Sequence, residues 1–423
     1  MGHGLPSRQV CLRPEPDFPA TAGHPLTARP PAAPSSLLDA LGPIRSSLVA
    51  IAALGCAGWL AIAVAFGTIP VAPNLVNRLG GIGAGDFMFF YPVAVLASDG
   101  RAEAVYDADA LTAIARERMG PGIPELVWPY PPTMSLLLAP LGGLRPGGAY
   151  VSWMALQLLA LLIVGRLALG RWAAAPLALL FPGAALALFA GQFSPVLGVL
   201  LATAVLCLDR KPARAGAALG LFVWKPHFGA AAAVFALLDR QWRTLGTAAL
   251  TGGTVIAASI YVLGTESWSA FFASGVRHWN AIGVEAPMSR FVSIFSAAAT
   301  AGVPMSFALG IHALTAGLAC AAARRVWTRS REPGMRALAL ACATLLLPPY
   351  ALDYDMVLLL LPWLLLAHDA LRSPRRGSQM FDLWLVLTML VPVTYLSALY
   401  SQQSLGGPFL CVVLGLAWWR VRK

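Results

Sequence analysis

A few residues stand out because their type and setting could do chemistry. Asp86 closes the run Gly80-Gly81-Ile82-Gly83-Ala84-Gly85 and precedes Phe87-Met88-Phe89-Phe90-Tyr91. Glycines let a backbone fold tightly against its surroundings. A carboxylate presented on such a turn, at a membrane face, is suited to take a proton as a general base. The position also fits the N-cap of a helix starting at Phe87, and the two roles are compatible. The run does not fit G-x-G-x-x-G and no strand precedes it, which argues against a dinucleotide fold. Lys225 interrupts an apolar stretch between Trp224 and Pro226-His227. A charge inside a membrane segment is costly, so a functional role is the default, and a snorkelling anchor is the alternative. Asp107-Ala108-Asp109 has the Asp-x-Asp form used to hold metals and nucleotide sugars, but it stands directly before a helical pattern and reads better as an N-cap. Asp353-Tyr354-Asp355 follows Pro348-Pro349-Tyr350, and Asp355 fits a helix cap and a substrate contact equally.

The elements that must position these residues are helices in a membrane. The chain has 423 residues, of which 58% are hydrophobic and 12% charged, with mean hydropathy +0.70. Soluble domains carry about a quarter charged residues. The apolar excess comes in continuous Leu-, Ala- and Val-rich blocks of roughly 20 residues, the length of a membrane helix rather than of an alternating barrel strand. Spans are predicted at 48–69, 149–169, 173–190, 194–208, 244–264, 304–323, 335–350, 355–368, 382–399 and 406–419. Two arms too short to cross alone, 215–225 and 228–238, read as a broken or re-entrant hairpin meeting at Lys225-Pro226-His227. Segment 131–144 reads as a short interfacial helix. A helix after Asp109, ending at Gly120, carries Leu111, Ile114, Ala115 and Met119 on one face, as for a helix lying on a membrane. Residues 1–46 are polar and Pro-rich and are expected to be a disordered cytoplasmic tail, leaving 47–423 as one membrane domain with a first outer loop at 70–132.

Charge orients the map. With the tail inside, the inner loops receive most of the 30 Lys and Arg residues, and only Arg78, Arg101, Arg116, Arg118, Arg145, Lys225, Arg277 and Arg290 face out. That asymmetry is what cytoplasmic loops show, and it accounts for the net charge of +11 without nucleic acid. Both termini are then inside, and the chemistry faces outside. The six cysteines, Cys11, Cys56, Cys207, Cys320, Cys342 and Cys411, form no C-x-x-C pair; five lie in apolar runs and are expected to pack there.

In these residues the chain resembles glycosyltransferase family 87, the polyprenyl-phosphate-mannose-dependent alpha-mannosyltransferase type. The matching features are Gly85-Asp86-Phe87, Gly100 to Tyr106, Tyr130-Pro131-Pro132 with Pro140-Leu141, Gly191-Gln192, Lys225-Pro226 and Asp353-Tyr354-Asp355. Each is weak alone, and their order along roughly 80–370 carries the likeness. The resemblance implies an all-α, polytopic transmembrane bundle of the GT-C class, with about ten to thirteen membrane helices and interfacial helices in the first outer loop. It implies transfer of a hexosyl, typically mannosyl, group from a polyprenyl-phosphate sugar donor to a glycan or glycolipid acceptor, at the outer face of the plasma (inner) membrane. Asp86 matches the acidic base of the first outer loop. A phosphate leaves readily, so the acceptor hydroxyl needs the base and the donor phosphate needs cations. Lys225, His227 and Arg290 are the expected donor-binding residues, with Arg277 as a further basic candidate. Tyr130, Gln192, His278, Asp353 and Asp355 are further substrate-site candidates, and no cofactor is expected, a divalent metal remaining open. Two other classes compete. A secondary transporter would explain the broken hairpin but calls for an internal repeat and mid-membrane charges. A non-catalytic membrane partner of an envelope-assembly complex would leave Asp86 and Lys225 without linked roles.

Overall fold

The computed structural model describes residues 84–281, 287–372 and 377–422, together with residues 1, 2, 53 and 75. Apart from residues 1, 2 and 53, the expected tail, the span at 48–69 and Gly80 to Gly83 lie outside the described residues. Among those described, the chain is helical with no strand. One isolated antiparallel bridge joins Phe291 to Leu352.

Among the described residues, four helices are long and apolar enough to cross a bilayer: α4 Pro146–Leu169, α9 Trp242–Leu263, α12 Met305–Arg329 and the Phe381–Tyr400 part of α15 Gly377–Tyr400. At 1.5 Å per residue the 24 residues of α4 reach about 36 Å, more than a hydrocarbon core of about 30 Å. Their outward faces are apolar and uncovered: Leu250, Tyr261 and Val262 on α9, Phe307, Leu314 and Leu318 on α12, Leu396 and Leu399 on α15. Contiguous exposed apolar surface of this extent is a lipid-facing belt. This is a multi-pass membrane protein.

Inside that belt are shorter helices buried largely by protein, α6 Ser194–Cys207, α13 Pro333–Leu346 and α14 Leu360–Arg372, the last entered through a 3-10 turn at Asp353–Leu359, while α8 Pro226–Leu238 buries one face and leaves Val234, Leu237 and Leu238 exposed. From Gly334 to Leu346 only Arg336 escapes burial in α13. Pro at the first or second position starts α6, α8 and α13, where its missing N–H leaves no orphan and its fixed φ is already helical.

The predicted span 173–190 is not one rod. A 3-10 segment, Trp172–Leu180, meets α5 Pro182–Phe189 at 76°. Hydropathy sums across that stretch. Pro176 and Pro182 cannot donate to a continuous ladder, and the ring of Pro182 would clash with the preceding turn.

The expected hairpin is present as a local path. α7 Pro212–Gly220 and a 3-10 turn at Leu221–Trp224 lead to Lys225, and α8 follows. Cβ atoms on Gly216 and Gly220 would strike the carbonyls of Thr244 and Ala248, so α7 lies directly against α9. A step of four residues on one matches four on the other, so the two run in the same direction. The chain therefore turns at Lys225, and α8 brings it back to the start of α9.

The segment expected as the first outer loop folds onto this framework. α1 Phe87–Ser98 buries Phe87, Phe90, Tyr91 and Val93 to Leu96. α2 Ala108–Met119 is capped as expected: the Asp107 carboxylate accepts from Asp109 N at 3.0 Å and Ala110 N at 3.2 Å. Its Leu111, Ala115 and Met119 face the protein core, not a membrane surface. α3 Pro132–Leu138 is the short helix expected within 131–144.

Candidate active site

Asp86 is fixed by its backbone. Gly85 and Gly191 both have left-handed φ, +55° and +64°, a region that glycine alone adopts freely. They let the loop before α1 and the loop after α5 cross in contact, and Asp86 N donates to Ala190 O at 2.7 Å. The next residue along, Gln192, is thereby set beside Asp86: its Nε2 donates to Asp86 Oδ2 at 2.6 Å. Trp153 Nε1 holds Gly191 O at 2.7 Å from the side of α4. Asp86 stands at the N-cap position of α1 but its side chain makes no capping bond. The carboxylate is therefore free of the structural duty that competes with chemistry.

From Gln192 the network runs inward. Its Oε1 lies 3.5 Å from Lys225 Nζ, which lies 3.5 Å from Asp355 Oδ1. Lys225 is 3% exposed and does not snorkel. Its ammonium is enclosed by the rings of Tyr130, Phe228 and Tyr354, at 5.2, 5.6 and 5.6 Å from their centroids, a favourable face for a desolvated cation. Asp355 accepts from Ser194 Oγ on one oxygen and from Leu352 N, at 3.1 Å, on the other. It is thus both the cap of its own turn and the counter-ion of Lys225. His227 sits behind this pair, edge-on to Tyr350 at 5.1 Å.

A second charge pair stands across from the first. Arg290 grips Asp353 through Nε and Nη2, both at 2.9 Å, the two-point geometry that makes such pairs strong. The match is set by backbone register. Phe291 bridges Leu352 and Val292 N donates to Ala351 O at 2.8 Å, so the flanking residues Arg290 and Asp353 meet. Arg290 Nη1 has no hydrogen-bond partner among the described residues.

Asp86 and Arg290 share the wall of a cavity of about 410 Å³. The remaining lining is Gly85, Phe189, Ala190, Pro287 and Ser289, then Tyr395, Ala398 and Leu399 from α15, and Gln402 just beyond its end. Of the lining residues, Pro287, Leu399 and Gln402 are exposed, so the cavity opens beside the C-terminal end of α15. Burial pushes the Asp86 carboxyl above its usual range, opposed by the Gln192 hydrogen bond and the charges of Arg290 and Lys225. Burial also raises Asp353, with the Arg290 guanidinium opposing. Burial works against the charge on Arg290, yet Asp353 outweighs it and the group is held above its ordinary value.

Most of the expected site residues therefore come together: Asp86, Tyr130, Gln192, Lys225, Arg290, Asp353 and Asp355. Of these only Asp86 and Arg290 line the cavity, and His227 is adjacent to Lys225 without lining it. His278 and Arg277 fall within α10 Thr265–Ala281, where the side chains lie outside the described residues. Ser194, Tyr395 and Gln402 were not anticipated. Ser194 follows the Gly191-Gln192 pair closely enough to have been suspected; the other two carry no local signal. Among the described residues no three His, Cys, Asp or Glu side chains converge as a metal site would. The four described cysteines are free.

A sequence model of glycosyltransferase family 87 matches residues 128–349, just over half of the chain. The chain belongs to glycosyltransferase family 87. No curated protein and no solved structure matches it. The matched stretch includes Tyr130, Gln192, Lys225, His227 and Arg290, while Asp86, Asp353 and Asp355 lie outside it. A family 87 glycosyltransferase is an enzyme that moves a sugar from a donor to an acceptor. The assignment supports neither the transporter nor the non-catalytic partner reading.

Proposed function

We propose that this glycosyltransferase moves a hexosyl, and specifically a mannosyl, group from a polyprenyl-phosphate sugar to a glycan or glycolipid acceptor at the outer face of the plasma (inner) membrane. One observation carries the reading: the carboxylate of Asp86, which makes no capping bond, and the cation Arg290 line one cavity that is also walled by α15, a helix with an exposed apolar face. Asp86 takes the proton of the acceptor hydroxyl. The oxygen attacks the anomeric carbon, and the bond from that carbon to the phosphate oxygen breaks. The phosphate leaves with the electron pair and needs no proton. The Nη1 edge of Arg290 is the contact for the negative charge that grows on it. Tyr395 and Gln402 offer hydrogen bonds to the sugar, and Leu399 and the α15 face beyond it suit the first prenyl units. Lys225 and Asp355 lie behind Gln192 and act through it, holding the side chain that orients Asp86.

The test is transfer by the full-length protein in proteoliposomes, with polyprenyl-phosphate mannose compared against a nucleotide-linked mannose. Transfer from the lipid-linked sugar alone is expected, and Arg290→Lys should raise the donor KM more than the acceptor KM, because a point charge replaces a planar fork. Transfer from the nucleotide sugar alone would sink the reading.

A further inference from the structure

The α7–α9 pair builds a second, chemically distinct site at the end of the molecule away from Asp86. Here an open cavity of about 600 Å³ is lined by Lys211, Pro212, Ala213, Arg214, Trp242, Arg243, Gly246 and Thr247. Its three cations are exposed. None has an ion-pair partner among the described residues, and no acid lines the cavity. The nearest acids in sequence are occupied elsewhere: Asp209 by Arg336, and Asp239 by Arg324.

The helix directions add to this charge. Because α7 and α9 run in parallel, both N-termini open at the cavity. Neither has a side-chain cap and neither carries an acid in its first turn. Each end presents partial positive charge and unpaired N–H groups. Antiparallel helices would have cancelled this; these two reinforce it. Mutual repulsion among three cations and two positive helix ends is relieved by an anion.

The surroundings indicate where such an anion comes from. The outer face of α9 above the cavity is apolar and exposed, with Leu250 at 71%, and Trp242 at its foot is 64% exposed. Trp in this position marks the headgroup level of a bilayer. From Lys211 to Lys225 the chain climbs about 20 Å through α7 and its 3-10 turn, so the cavity is remote from the transfer site and not part of it.

We propose that the cavity between Lys211, Arg214 and Arg243 is a phosphate-binding site, suited to the headgroup of an anionic phospholipid whose chains lie along α9. The site stands independently of the donor and acceptor assignment. The experiment uses full-length protein in neutral detergent. It measures retention of phosphatidylglycerol against phosphatidylcholine by native mass spectrometry, and thermal protection by inorganic phosphate. The wild type should retain phosphatidylglycerol with roughly tenfold preference. A Lys211→Gln, Arg214→Gln, Arg243→Gln triple variant should lose it. A control with the same charge change, Arg325→Gln, Arg329→Gln, Arg331→Gln at the end of α12, should keep it. Protection by inorganic phosphate without lipid preference, abolished in the cavity variant, would assign the site to a soluble phosphate. Equal retention and protection in wild type and cavity variant, equal loss in the control, or no binding of either probe would overturn the proposal.

Discussion

Gly85 and Gly191 occupy each other's only space. A Cβ on Gly85 would come within 2.6 Å of Ala190 O, and one on Gly191 within 2.6 Å of Ala84 O. The residue after each glycine is half of the 2.6 Å contact between Asp86 and Gln192. The position of the carboxylate thus depends on two missing methyl groups more than 100 residues apart.

Gly191→Ala should therefore damage both stability and activity. A left-handed alanine costs about 1–2 kcal/mol before any clash, and displacement of Asp86 by about an ångström can cost on the order of 10²-fold in rate. Thermal denaturation and initial transfer rate, measured on the same preparation, check this. Wild-type values for both would mean that the loops can cross without the glycine.

Asp86→Asn should abolish transfer while the protein stays folded and monodisperse, since the side chain makes no cap bond to lose. A general base is worth about 10²–10⁴-fold. The wild-type rate should also fall as pH drops through a pKa raised above 3.8 by burial. The residual rate of the Asn variant should lack that limb. The stability sign is opposite. With the folded pKa above the unfolded one, the folded state holds its proton longer. Stability from this group is greatest at low pH and declines as pH rises through the folded value. Asp86→Asn should flatten that decline. Near-normal turnover in Asp86→Asn would show that the base lies elsewhere.

Lys225 and Asp355 form a buried pair at 3.5 Å, each about 3% exposed. Removing one partner strands a charge and costs about 3–5 kcal/mol. Lys225→Met should lower the melting temperature markedly, and adding Asp355→Asn should restore part of it, because the stranded carboxylate is then neutral and still able to accept from Leu352 N. A double-mutant cycle by thermal denaturation reads the coupling. Additive losses would mean that the two charges do not sense each other.

The outward-facing transfer site is a proposal that rests on the charge bias of the loops. A cysteine at Asp99 should react with an impermeant maleimide in intact cells, and one at Arg331 should not; both positions are exposed. Reversed labelling would place the transfer site on the cytoplasmic side.

The sequence was most legible where a residue violates its surroundings. Lys225 in an apolar stretch, Asp86 after a glycine run and Asp107 before a helical pattern each signal a role, and the structure puts each at a turn or cap. Hydropathy alone did not show the bend in 173–190, because an average over apolar residues does not register that Pro176 and Pro182 break the ladder. It also gave α2 to the membrane surface, because an apolar face looks the same whether lipid or protein covers it. Tyr395 and Gln402 were invisible for a different reason. They reach the cavity only through the packing of α15 and the turn that follows it, and no local pattern encodes that neighbour. The job of Asp355 was ambiguous in sequence because it does two things at once: one oxygen caps its own turn, and the other faces Lys225.

The Lys225–Asp355 contact also constrains biogenesis. The two residues are 130 positions apart, so a ribosome working at about 10 residues per second delivers the carboxylate more than ten seconds after the ammonium. During that interval the hairpin tip holds a cation whose counter-charge has not been synthesised. Gln192, made earlier, is the neutral ligand available to it. The pair can therefore close only once the turn at Asp353 has been made, so the network behind Asp86 gains its counter-ion late in synthesis.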